Sequence, residues 1–135
     1  MQATQILETC LYVDDLAAAE EFYTRIFGLE RISRVEGRHV FFRCGDGVCL
    51  LFNPEATSQP SSSASAVPAH GARGPGHVAF AMRQADIDDW REHLLQNNVE
   101  IEKEITWPGG GCSIYFRDPA GNSVELATPK TWGIE

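Results

Sequence analysis

Cysteines are few, and their spacing suggests no framework. Cys10, Cys44, Cys49 and Cys112 include no CxxC pair, so neither a zinc knuckle nor a dithiol redox motif is expected, and reduced, mostly buried thiols are the plain reading. Basic residues are scarce too: 11 Lys and Arg against 19 Asp and Glu leave a formal net charge of -8. Scattered cations on an acidic chain argue against nucleic-acid binding, which needs clustered Lys and Arg, and disfavour docking on an anionic membrane. No apolar run reaches the length of a membrane span. The opening "MQATQILETCLYVDD" has no basic region and carries two aspartates where a cleavage site would fall, so no signal peptide and a cytoplasmic location are expected. Three glycines in "WPGGGCS" are followed by neither Lys-Ser/Thr nor a helix, and no nucleophile elbow or Ser-His-Asp order occurs, which argues against a nucleotide site and against serine hydrolysis.

What is present is an ordinary soluble composition, 43% hydrophobic and 22% charged over 135 residues, enough for one domain with a real core. The stretch "ATSQPSSSASAVPAHGA", residues 56–72, has almost no large apolar side chain and reads as a linker. It separates residues 1–55 from residues 75–135, with 56–74 as the connection, and the two halves share one order of elements. The first half runs from the strand "QILETCLYV" through a helix to three strand-like pieces. Asp14 or Asp15 caps that helix, its stripe is Leu16, Ala19, Phe22, Tyr23 and Ile26, and Gly28 stops it. The following strands, "LERISRV", "HVFFRC" and "VCLLFN", are separated by the Glu36-Gly37 and Gly45-Asp46-Gly47 turns. The second half repeats the plan: "GHVAFAM", then the helix "ADIDDWREHLLQNN" with Ile87, Trp90, Leu94 and Leu95 on one side, then "VEIEKEITW", "CSIYFRD" and "NSVELAT". Each half reads βαβββ, with "CLLFNP" matching "VELATP", so the expectation is an α+β protein of two paired βαβββ modules.

Strand parity selects candidate site residues. In "SVELAT", Val124 and Leu126 take the packing side and Glu125 the other. In "GHVAFAM", Val78, Phe80 and Met82 pack while His77, Ala79 and Ala81 face away. In "QILETCLYV", Leu7, Leu11 and Val13 pack while Glu8, Cys10 and Tyr12 face away. Glu8, His77 and Glu125 thus offer one imidazole and two carboxylates, a donor set suited to a catalytic divalent ion with open positions. On "HVFFRC", Val40 and Phe42 pack, leaving His39, Phe41 and Arg43 to line a cavity, as Ser113 and Tyr115 do in the second half. Arg43 suits a substrate carboxylate.

The repeat together with "LYVDDLAAAEEFYTRIFGLE", "GPGHVAFAM" and above all "YFRDPAGNSVELATP" resembles the vicinal oxygen chelate superfamily of glyoxalases, bleomycin-binding proteins and extradiol dioxygenases. The resemblance spans nearly the whole chain outside the Ser-rich stretch. It implies paired modules forming a concave, cup-like sheet with helices outside, and a homodimer. It also implies one divalent ion per site (Fe, Mn, Zn, Ni or Co), held by Glu8, His77 and Glu125, with Glu8 or Glu125 available for proton transfer. Superfamily members more often carry His or Gln at the Glu8 position. The fourth ligand position of the resemblance falls on Leu50, which cannot bind a metal and would instead line the substrate cavity with Tyr12, His39, Phe41, Arg43, Ser113 and Tyr115. Because glyoxalase I uses a carboxylate at that position, the resemblance points away from glyoxalase I itself. It points to a metal-dependent enzyme of dioxygenase, isomerase or transferase type acting on a small molecule with vicinal oxygens. The alternative is a metal-free, drug-sequestering binding protein.

Each candidate has a bland counterpart. Glutamate on an antiparallel strand is commonly solvated, a lone His77 is more often a hydrogen-bonded sheet histidine, and Arg43 could pair with a neighbouring acid. His70 lies in the linker, where histidines usually do nothing specific; capping the cavity is its functional alternative. Arg117, next to Asp118, reads as structural and His93 as solvated on its helix.

Overall fold

The computed structural model describes residues 1–60 and 66–134; the Ser-rich residues 61–65 of the expected linker, and residue 135, lie outside that description. The chain divides into a first unit, Met1–Gly74, and a second, Pro75–Glu135. Both are α+β, each with one four-stranded mixed sheet.

In the first unit β1 (Glu8–Tyr12) leads to α1 (Leu16–Phe27), then β2 (Glu30–Val35), β3 (His39–Cys44) and β4 (Gly47–Phe52). The sheet order is β1-β4-β3-β2. β1 runs parallel to β4, and the other pairs are antiparallel. Helix α1 forms where the spacing predicts. Asp15 caps it, accepting from the Ala18 N–H at 3.0 Å, and Gly28 ends it in the left-handed region at φ 63°. Its buried residues are Leu16, Ala19, Phe22, Tyr23 and Ile26, the predicted stripe. Burying each large apolar side chain contributes about 1.5–3 kcal/mol relative to leaving it exposed. The stripe packs on the β3 and β4 side that carries Val40, Phe42 and Leu51, with Tyr23 and Phe42 ring centroids 6.4 Å apart. The opposite face is the one α1 leaves open, although Leu50 and Phe52 on it are buried. A short helix α2 (Pro54–Thr57), capped by Asn53, begins what the composition marks as linker.

The second unit repeats the topology. β5 (His77–Ala81) is followed by α3 (Ile87–Gln96), β6 (Lys103–Thr106), β7 (Cys112–Arg117) and β8 (Ser123–Ala127), in the order β5-β8-β7-β6. Ile114, Phe116, Val124 and Leu126 form the core side, with Leu94 of α3 fully buried. Two apolar residues depart from the predicted stripes: Leu7 is 65% and Leu95 76% exposed. Leu95 stands about 100° around the helix from Leu94, and Leu7 precedes β1, where its carbonyl, not its side chain, is used, accepting from the Val48 N–H at 3.0 Å.

Candidate functional site

The site in the second unit is built outward from a turn. In Asp118-Pro-x-Gly-Asn122, Asp118 Oδ1 accepts from the Ala120 and Asn122 N–H groups, and Asn122 Nδ2 donates to Asp118 Oδ2 at 2.9 Å. Gly121 supplies the left-handed φ of 85° that the turn requires. Asn122 Oδ1 then accepts from the Gly76 N–H at 2.7 Å, and the Ser123 N–H donates to the Gly76 carbonyl at 2.9 Å. Asp118 and Asn122 are buried, so the bonds between them take the place of water. The turn therefore fixes the register of β5 on β8, pairing His77 with Ser123 and Ala79 with Glu125.

That register assembles His77 and Glu125. His77 Nδ1 lies 3.0 Å from the Ser123 carbonyl oxygen. A carbonyl only accepts, so Nδ1 carries the hydrogen, and in the neutral ring Nε2 presents its lone pair. Nε2 is 3.1 Å from Glu125 Oε2. Two acceptors this close require a positive charge, either a proton between them or a cation beside both. Nitrogen and oxygen donors at about 2.0–2.2 Å from one ion and at right angles stand roughly 3 Å apart, which is the separation here. The backbone carbonyl behind the imidazole is the outer-shell partner a metal-binding histidine takes. The pair fits a borderline divalent ion such as Fe, Mn, Co, Ni or Zn.

Glu125 is 7% exposed despite lying on the open face. Tyr115 is its direct partner across β7–β8, and the Tyr115 ring stacks towards His77 with centroids 6.3 Å apart. Burial, and secondly Glu125, push the Tyr115 phenol up, with Ser113 acting in the opposite sense. Ser113 is engaged by Trp107, whose Nε1–H donates to its Oγ at 2.9 Å. Arg117 is structural, bonded to Glu102 and the Gly121 carbonyl.

On the open face of the first unit, register places the remaining candidates in three rows across β3, β4 and β1: Arg43–Val48–Glu8, Phe41–Leu50–Cys10 and His39–Phe52–Tyr12. Glu8 and Arg43 are exposed. Leu50 is buried between Phe41 and Cys10. His39 stacks on Phe41 with centroids 3.8 Å apart, and its Nε2 is 3.1 Å from Ser33 Oγ. Burial, then the nearby Arg38, lower the His39 pKa. The Tyr12 hydroxyl shares a hydrogen bond of 2.7 Å with His70 Nδ1. His70 does not stand out from its neighbours in the linker, because nothing local announces a contact 58 residues away. Among the described residues, no group of three or more His, Cys, Asp or Glu side chains is arranged to hold a metal ion.

Comparison with known proteins gives a consistent picture. The family described as "Glyoxalase/Bleomycin resistance protein/Dioxygenase superfamily" matches residues 5–126. The chain is similar to the metallothiol transferase FosB of Bacillus licheniformis, 28% identical over 117 residues that cover 86% of this chain and 70% of that one. It is also similar to the glutathione transferase FosA of Serratia marcescens, 28% identical over 117 residues covering 86% and 74%. Among solved structures, the crystal structure of lactoylglutathione lyase from Agrobacterium tumefaciens superposes with a TM-score of 0.94 at 42% identity, covering 99% of this chain and 100% of that one.

Proposed function

Because the chain belongs to the Glyoxalase/Bleomycin resistance protein/Dioxygenase superfamily, we propose that it is a divalent-metal-dependent enzyme acting on a small molecule with two adjacent oxygens, of the thiol- or group-transfer type. The observation that carries the proposal is the His77–Glu125 pair, an oriented imidazole 3.1 Å from a buried carboxylate. His77 Nε2 and Glu125 are the assigned donors, and Glu8, expected from the sequence as a third, is probed by substitution. When bound, the ion would supply Lewis acidity towards the two substrate oxygens.

The chain's own groups supply the rest. The Ser123 carbonyl prevents the imidazole from turning. Ala79, paired with Glu125, and Ala81 leave room over the carboxylate. Tyr115, its pKa raised, keeps its proton at neutral pH and is the donor next to Glu125 for an oxygen that gains negative charge. Two considerations favour transfer over lactoylglutathione chemistry. The curated relatives named above are transferases. The proton-handling carboxylate of the glyoxalase I resemblance is replaced by Leu50, packed between Cys10 and Phe41. The solved neighbour named as a lactoylglutathione lyase makes that second activity the one to test in parallel.

The test is a paired assay on protein loaded with Mn(II), Fe(II) or Zn(II). Fosfomycin with glutathione or L-cysteine is followed by loss of thiol, and the methylglyoxal–glutathione hemithioacetal by formation of the lactoyl thioester. Thiol consumption abolished by chelation supports the proposal. Thioester formation of comparable efficiency would overturn the transfer assignment, and turnover unchanged by chelation would overturn the metal.

A further inference from the structure

The turn "WPGGGCS" takes no part in nucleotide binding, but it delivers an indole to the sheet that carries the His77–Glu125 pair. We propose that Trp107 is a positioning residue for Glu125, acting through Ser113 and Tyr115 to fix the carboxylate assigned to the metal. The inference rests on the metal reading of the His77–Glu125 pair and extends it to the groups behind that carboxylate.

Three observations carry it. First, the turn is built to hold one side chain in place. The Trp107 N–H donates to the Gly111 carbonyl, and the Trp107 carbonyl accepts from the Gly110 N–H, both at 2.8 Å. Gly110 takes a left-handed φ of 88°. A Cβ on Gly111 would lie 2.4 Å from the Thr131 nitrogen, so glycine alone lets the turn seat against the residues that follow β8. The Cys112 N–H donates to Thr128 Oγ1 at 2.9 Å, and the Thr128 N–H donates to the Cys112 carbonyl at 3.0 Å. The hairpin bearing Trp107 is thereby tied to the end of the strand bearing Glu125.

Second, the indole is directed at a buried hydroxyl. Trp107 Nε1–H donates to Ser113 Oγ at 2.9 Å, and Ser113 is 1% exposed. A serine that water cannot reach, and that has accepted from the indole, still has its own hydrogen to place. Ser113 and Tyr115 stand on one face of β7, and Tyr115 is the cross-strand partner of Glu125. The phenol makes side-chain hydrogen bonds with both Ser113 and Glu125.

Third, the donors and acceptors permit one direction. An indole N–H only donates and an ionised carboxylate only accepts, whereas serine and tyrosine hydroxyls do both. The bond to a carboxylate is charge-assisted and the stronger, so the phenol hydrogen lies on Glu125 and the Ser113 hydrogen turns to the phenol oxygen. The chain runs from Trp107 through Ser113 and Tyr115 to Glu125, each bond polarising the next. At rest the phenol hydrogen holds Glu125 beside His77; a substrate oxygen that gains charge draws on the same hydrogen. Outer partners of this kind orient a ligating side chain. In the first unit the corresponding positions are His39, Phe41 and Leu50, and no such chain can form.

The experiment reads the zinc affinity of the full-length protein by competition with a chromophoric chelator. Trp107→Phe keeps an aromatic ring and removes the N–H, and affinity should fall at least about tenfold. Ser113→Ala should lower it as much, and the double variant no further than either alone, because both break one chain. Ser113→Thr, which keeps the hydroxyl, should retain affinity, as should Trp132→Phe at an exposed position. Unchanged affinity in Trp107→Phe and Ser113→Ala, or losses that multiply in the double variant, overturns the role of Trp107 and leaves the metal reading intact. A wild type that binds no zinc sinks the metal reading instead. The chain is then decided on metal-free protein from the indole N–H signals seen by NMR. Tyr115→Phe removes one hydroxyl and should shift the Trp107 signal while leaving those of Trp90 and Trp132. A Trp107 signal that stays in place overturns the proposal.

Discussion

The two units have one topology and one register but differ in what stands on their open faces. Glu8 on β1 pairs with Val48 as His77 on β5 pairs with Ser123; Leu50 lies between Cys10 and Phe41 as Glu125 lies between Ala79 and Tyr115. One strand pair further along, Tyr12 and Phe52 correspond to Ala81 and Ala127. The first unit has filled its face with rings, and the second has kept it small and polar around a histidine and a carboxylate. The turns preceding the last strands differ in the same spirit. The second unit builds a buried Asp118–Asn122 network that reaches Gly76. The first uses the Gly45-Asp46 hairpin, with Gly47 so close to the Leu7 carbonyl that a Cβ would lie 2.9 Å from it. Duplicated backbones thus fix where side chains stand; the identity of a few of them gives one face rings and the other a histidine–carboxylate pair.

Making the second unit like the first should have the largest effect. Glu125→Leu removes a donor and leaves the His77 lone pair facing hydrocarbon, so metal affinity should fall by more than about 100-fold, read by equilibrium dialysis, with the fold retained by circular dichroism. The reverse change, Leu50→Glu, puts a carboxylate in the corresponding place on β4. Lactoyl thioester formation should rise at least about tenfold over the wild-type level; an unchanged rate would break the assignment of that position. A smaller effect separates the two turns. Asn122→Ala removes the acceptor of the Gly76 N–H and a donor to Asp118, costing about 1–3 kcal/mol in urea unfolding, whereas Asp46→Ala, at an exposed turn, should stay within about 0.5 kcal/mol.

The smallest effect concerns pH. Burial and Arg38 hold the His39 pKa below its ordinary value, so the folded state binds fewer protons than the unfolded chain. Its contribution to stability is complete above the unfolded pKa of about 6.5 and is lost as pH falls from there through the lowered folded value. Unfolding midpoints measured from pH 7.5 to 5 should decline in the wild type and decline less in His39→Phe. The second unit carries Ser113 at the corresponding position and should contribute no such term.

Much of the framework was legible because local rules and burial agree. The cap at Asp15, the α1 stripe and the stop at Gly28 follow from spacing alone. The alternation in "SVELA" put Glu125 opposite Val124 and Leu126. The match of "CLLFNP" to "VELATP" anticipated the shared register. Extent was less legible: nine residues of "VEIEKEITW" read as strand, yet β6 spans only Lys103–Thr106, since alternation does not say how far a partner strand extends. Contacts made at long range were not legible at all. Asp118 and Asn122 were quoted as a motif, but their reach to Gly76 depends on the fold. Trp107 on Ser113 and His70 on Tyr12 likewise exist only once the backbone has brought them together.

The most direct test of the central claim is metal stoichiometry by elemental analysis on tag-free protein after anaerobic loading with Fe(II), Mn(II) and Zn(II), for the wild type and for His77→Ala, Glu125→Ala and Glu8→Ala. The account predicts about one divalent ion per chain, lost in the first two variants and weakened in the third. A wild type that retains no metal, or a Glu125→Ala variant that retains it fully, would contradict it.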